Sequence, residues 1–244
     1  DVGIRYADDA VGTLMNKLAD LGVLDETAVL ISSDHGEAFG ELGVYADHQA
    51  ADEATCHIPS ILRWPGIDPH VNTGLHYHLD VAATVAELAG LRIPRHWSGE
   101  SIATAVESAD SAAGRDHLVL SQGAWSCQRG VRFGDHLYLD TRHDGHHAHW
   151  SAEMLFDVAE DPHEEVDLAT DSGHASTLGT GKALLARWID TEMGRSYSPV
   201  DPMDIVLAEG GPFHTRGHLP AYLDRLRTSG RGQWADVLAE RHPD

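Results

Sequence analysis

The chain has 244 residues, 42% of them hydrophobic, enough to build a globular core. Its 39 acidic residues outweigh 17 Lys and Arg for a formal charge of −22, which excludes the clustered basic surface that nucleic-acid binding requires. No run of about 18 apolar residues is present, so no membrane-spanning helix is expected. Lys17 and Lys182 are the only lysines. An acidic, Lys-poor surface repels itself in dilute buffer and is screened at about 1 M salt, where the Debye length is about 3 Å, so the composition reads as halophile-like. The first residues lack the basic and apolar regions of a secretory signal. The chain reads as one entered partway through, with a cytoplasmic leaning. Cys56 and Cys127 sit in unrelated contexts and are expected to be free or buried thiols.

In chain order, Ile4, Ala7, Val11, Leu14, Leu18 and Leu21 recur every three or four residues and predict a helix over Tyr6–Leu21, ended by Gly22. Thr27–Ile31 is a short β-branched, apolar run, the pattern of a strand buried on both faces of a parallel sheet. It delivers Ser33, Asp34 and His35 to its carboxyl end, the edge where open α/β sheets bind ligands. A second strand is expected over Ile58–Trp64, stopped by Pro65-Gly66, and a helix over Leu79–Leu88, ended by Gly90. Residues Ala103–Gly114 read as a small helix or linker. Closely spaced strands at Leu118–Ser121, Gly130–Phe133, His136–Asp140 and Met154–Asp157 predict an antiparallel sheet. Helices follow at Lys182–Met193, after a Gly179-Thr180-Gly181 break, and at Ala221–Arg227. The fold class is α/β, with one domain over residues 1–102 and a subdomain with an antiparallel sheet over residues 103–244.

The chemistry-bearing cluster is Ser33-Asp34-His35-Gly36-Glu37. Asp34 offers a hard anionic oxygen and His35 a neutral nitrogen to a divalent cation, although such a pair alone also fits a solvated strand-end turn. His143–His149 is rich in imidazole and could take a transition metal through His146 with His147 or His149; its Gly and acidic content favours a flexible surface loop. Trp97, Trp125 and Trp150 could stack on a sugar ring or pack between layers.

In order, the chain carries Ser33-Asp34-His35-Gly36-Glu37, Gly40-Glu41-Leu42-Gly43-Val44-Tyr45 and Ile58-Pro59-Ser60-Ile61-Leu62-Arg63-Trp64-Pro65-Gly66. Asp80 to Gly90 follows, then Met154-Leu155-Phe156-Asp157 and Asp161 to Ala169. Together these blocks resemble the sulfatase family of the alkaline-phosphatase superfamily, over roughly two thirds of the chain. The resemblance implies an alkaline-phosphatase-like sheet and hydrolysis of a sulfate ester in the intact enzyme, on a sulfated small molecule or sugar. It implies that Asp34 and His35 ligate a divalent metal, usually calcium in sulfatases; an imidazole ligand suits manganese or zinc better. His48, in Asp47-His48-Gln49, lies where relatives carry a Lys or His that contacts sulfate or protonates the leaving group. Arg63 is expected in a structural ion pair. The family's nucleophile is a formylglycine made in a Cys/Ser-x-Pro-x-Arg motif. Cys56 and Cys127 do not match that motif, so the formylglycine and the paired acidic ligands are expected upstream. Two alternatives remain: a phosphonate or phosphodiester hydrolase of the same superfamily, and a non-catalytic binding domain derived from it.

Overall fold

The computed structural model describes residues 2–243. Its elements in chain order are α1 (Val2–Asp20), β1 (Val29–Ser32), β2 (Ala38–Phe39), β3 (Tyr45–Asp47), α2 (Glu53–Cys56), β4 (Ser60–Arg63), α3 (His78–Leu88) and α4 (Ala103–Ser108). Then come β5 (His117–Gln122), β6 (Cys127–Phe133), β7 (His136–His143), β8 (Glu153–Asp157), α5 (Ala175–Arg195), α6 (Pro202–Ala208), α7 (Leu219–Thr228) and α8 (Gly232–Arg241). The architecture is mixed α/β. The chain forms two compact units: residues 2–33, 59–74 and 78–113 make the first, and residues 34–58, 75–77 and 114–243 the second.

In the first unit, β1 pairs with β4 antiparallel, Val29 opposite Arg63 and Ser32 opposite Ser60. The expected burial of this strand on both faces is not found: Leu30 is 46% and Ile61 58% exposed. Among the described residues no further strand pairs with this two-stranded ribbon, so it lacks the flanking strands of a buried parallel sheet. The stripe of α1 is present where periodicity predicts it, yet no residue of that helix is buried. Arg63 does make the expected structural contacts, with Asp25 at 3.1 Å and with the carbonyls of Leu24 and Thr27. Asp80 at the start of α3 is buried and accepts from the Glu100 amide at 2.7 Å, while Thr84 accepts from Ile102, tying the segment before α4 to α3.

The second unit is built on the predicted antiparallel sheet, a β5-β6-β7-β8 meander. Side chains alternate between its faces. On one face, Leu137, Leu139, Met154 and Phe156 pack with Trp150 against Ala38, Val44, Ala50 and Ala51. On the other, Val119, Val131, Tyr138 and Leu155 pack against Leu185 of α5. Fully burying residues of this size contributes about 1.5–3 kcal/mol each, so the two faces carry most of the unit's apolar stabilisation.

The Gly179-Thr180-Gly181 sequence does not break the helix that follows; α5 runs through it from Ala175. A Cβ on Gly181 would stand 2.6 Å from Tyr138 Cβ, so this glycine lets helix and sheet approach closely. The α7 and α8 helices form a hairpin whose Leu226, Ala235 and Leu238 bury against Ala148. No helix among the described residues is long and apolar enough to cross a membrane. Cys127 is buried and Cys56 half-buried, both as free thiols; burial pushes the Cys56 thiol up to about 12.

Candidate active site

The site is built on the segment from Asp34 to Cys56, which lies on one face of the four-stranded sheet. The segment turns back through the short β2–β3 ribbon, Ala38 opposite Asp47. Gly36 is needed where the segment passes α2: its amide donates to Thr55 O at 2.7 Å, and a Cβ would lie 2.0 Å from Ala54 O. Any side chain there would push the backbone of the site away from α2.

His35 and His48 come together, with ring centroids 3.8 Å apart and tilted by 31°. Glu37 reaches both: its Oε2 lies 3.5 Å from His48 Nδ1 and 3.9 Å from His35 Nδ1. His35 Nδ1 donates to Gly36 O at 2.8 Å, which leaves the lone pair on Nε2. Asp34 sits at the mouth, its side chain 88% exposed and its Oδ2 3.8 Å from His35 Nε2. Hydrogen bonds from its own amide and that of His35 hold the Asp34 carboxyl below the usual carboxylate range.

The loop bearing His48 is held to the sheet by polar side chains. Gln122 donates to His48 O at 2.8 Å, Ser126 to Gln49 O at 2.8 Å, and Gln128 accepts from the Ala51 amide at 2.7 Å. Asp47 accepts from the His48 amide and from Gln49 Nε2, both at 2.8 Å. Gln128 is fully buried, so its amide must find partners, and it also donates to Thr141 Oγ1.

All three residues singled out from sequence, Asp34, His35 and His48, therefore belong to one neighbourhood. His35, Glu37 and His48 each present a ligand atom within 4.8 Å of the others, and Asp34 stands outside that group. Glu37 ends the Ser33–Glu37 cluster but is given no role by sequence reasoning. Its one signal is its place on the same turn. An imidazole, His35, beside the Asp34 and Glu37 carboxylates suits a borderline cation such as manganese or zinc better than calcium, which prefers oxygen donors throughout. A divalent metal of that class fits these residues.

The segment His143–His149, expected as a flexible loop, is tied down. His147 stacks on Trp150 at 4.2 Å and donates to Gln49 Oε1 at 2.7 Å, while His149 and Trp150 both donate to Leu42 O. Its imidazoles satisfy carbonyls of the site-bearing segment, which orders the loop. Trp150 packs between layers, and Trp125 stacks on His214 at 4.0 Å.

Residues 1–91 match the family model described as Sulfatase. The choline-sulfatase of Rhizobium meliloti (strain 1021) is 30% identical over 169 residues, covering 68% of this chain and 31% of that protein. Over residues 1–91 the chain belongs to the sulfatase family. Among solved structures, a 2-O GAG sulfatase superposes on the segment with a TM-score of 0.67 at 23% identity, over 79% of this chain and 42% of that one. The phosphonate monoester hydrolase of Silicibacter pomeroyi does so with a TM-score of 0.62 at 22% identity, over 80% and 40%. At these identities the two structures show the shared fold. The sulfatase segment spans about a third of the length of the curated relatives it matches.

Proposed function

We propose that the chain is one portion of a sulfuric ester hydrolase, acting on a sulfated small molecule or sugar, and that Asp34, His35 and Glu37 face a divalent metal while His48 serves the leaving group. The carrying observation is the His35–Glu37–His48 arrangement, in which the two rings lie with centroids 3.8 Å apart and one carboxylate oxygen reaches the Nδ1 of each. The reading is supported by the match to sulfatases over residues 1–91.

In this reading, the bond from His35 to Gly36 O directs the His35 Nε2 lone pair toward a cation beside Asp34. Zinc or manganese fits the donor set, calcium being the metal implied by the family alone. Such a metal, when bound, would polarise the sulfate oxygens. The nucleophile, a formylglycine, would be supplied by sequence outside this chain. Glu37 orients His48 through Nδ1, leaving Nε2 to hand a proton to the departing alcohol oxygen. Gln122, Ser126 and Gln128 hold the loop so that this nitrogen stays in register with the metal face.

A phosphonate or phosphodiester hydrolase is the second reading, favoured by the fold shared with the phosphonate monoester hydrolase. Turnover of 4-nitrophenyl sulfate against phenyl 4-nitrophenylphosphonate by the full-length protein decides between them. Titration of the same protein with Mn²⁺ or Zn²⁺ tests the shared core of both readings. Unchanged affinity in Asp34→Ala and His35→Ala would overturn both and leave a non-catalytic binding domain.

A further inference from the structure

A second set of imidazoles lies in the second unit. His143 ends β7, His146 follows in the β7–β8 loop, and His242 follows α8. The rings of His143 and His242 are 4.5 Å apart, and that of His146 lies 5.5 Å from His242 and 5.9 Å from His143. They border an open cavity of about 380 Å³, whose wall also includes Gly211, Arg216 and Arg241. One ligand atom from each of His143, Asp144 and His242 lies within 4.8 Å of the others, and His146 stands beside that group.

Hydrogen bonding prepares this set for a cation. The Asp144 side chain is 6% exposed, and its Oδ1 accepts from His242 Nε2 at 2.9 Å. A carboxylate can only accept, so His242 keeps its proton on Nε2 and its lone pair on Nδ1. This carboxylate-to-imidazole bond is the support that metal-bound histidines ordinarily carry. Arg241, the nearest cation, is neutralised by Asp144 Oδ2 at 2.9 Å and also donates to Trp150 O. His143 gives its Nδ1 lone pair only to the Gly145 amide, in a 3.1 Å bond that a cation would replace.

Two backbone features bring the rings together. His146 has φ +70, a left-handed conformation that is strained for a side chain of this kind. Opposite His143, a Cβ on Gly211 would stand 2.8 Å from His143 Nε2, so only glycine leaves room for that ring.

We propose that His143, His146 and His242 form a second metal site, separate from the His35–His48 site, which takes a zinc-class divalent cation and clamps the C-terminal end of α8 to the β7–β8 loop. Imidazole nitrogens match the donor preference of zinc and cobalt, and disfavour calcium and magnesium. Asp144 acts as the positioning residue of His242.

The test is titration of the full-length, chelator-stripped protein with ZnCl₂, and with CoCl₂ followed by visible absorption. A zinc equivalent that survives in H35A/H48A, and loses at least tenfold in affinity in H143Q/H242Q, is the expected result. Loss of all zinc binding in H35A/H48A, or unchanged affinity in H143Q/H242Q, overturns the proposal. Should the glutamine variant fail to fold, Co²⁺ broadening of imidazole resonances in the wild-type protein decides the matter. Broadening of His143, His146 and His242, with or without that of His35 and His48, supports the site. Broadening confined to His35 and His48 refutes it.

Discussion

Glu37 Oε2 stands 3.5 Å from His48 Nδ1, the contact that links the Asp-His-Gly turn to the loop beyond β3. If His48 transfers a proton to the leaving group, His48→Ala lowers kcat of the full-length protein by about 10²–10⁴-fold. The loss shrinks for aryl sulfates with acidic leaving groups. Glu37→Gln moves the pH profile of kcat more than it moves KM. Equal loss of kcat for good and poor leaving groups would show that His48 does something else.

Arg129 and Asp201 form a two-pronged ion pair, with both bonds at 2.6 Å and both side chains at most 10% exposed. Asp201 also caps α6 by accepting from the Met203 amide at 2.9 Å. Removing one partner strands a buried charge, so Asp201→Ala is expected to cost about 3–5 kcal/mol in urea unfolding. A cost under about 1 kcal/mol would mean that water reaches Arg129 freely.

Burial, with the nearby Asp52 charge, pushes the Glu164 carboxyl up to about 8. A raised folded value means that its stabilisation is full below about pH 4.5 and is lost as pH rises toward about 8. Glu164→Gln removes the titration and keeps an acceptor for the Glu53 amide, now bonded to Glu164 Oε1 at 2.8 Å. The variant is expected to gain about 2 kcal/mol at pH 8.5, about 4–8 °C in Tm, and nothing at pH 4. An equal gain at both pH values would refute the assignment.

With a formal charge of −22, the protein should melt at steadily higher temperature as KCl rises from 0.1 to 2 M. A Tm indifferent to KCl removes the reading of salt adaptation. Sucrose, which does not screen charge, serves as the control.

Much of the fold is legible in the sequence because it repeats. Period-3.6 stripes announce α1 and α3, and alternation between turn signals announces β5 to β8. Elements too short to show a period are not legible: β2 and β3 have two and three residues, and pairing alone defines them. The helix α6 has a readable start in Asp201-Pro202, a cap followed by a first-turn proline, but too short an apolar stripe beyond it to stand out. Gly181 misleads because a glycine that breaks a helix and one that admits a neighbour look alike in a string of letters. At the site, Asp34 and His35 stand out by residue type and His48 through the resemblance to sulfatases, whereas the approach of Glu37 depends on a turn that no local pattern encodes. The His143–His242 encounter joins distant parts of the chain and has no local signature at all.

The loop that carries His48 is fastened by Gln122, Ser126 and Gln128, residues of β5, β6 and the turn between them. If His48 acts on the leaving group, the scaffold holds a control over reactivity at a distance from the reacting atoms. Variants selected for new substrates should then accumulate changes at these three positions, because a small tilt of the loop re-aims the imidazole while leaving Asp34 and His35 in place.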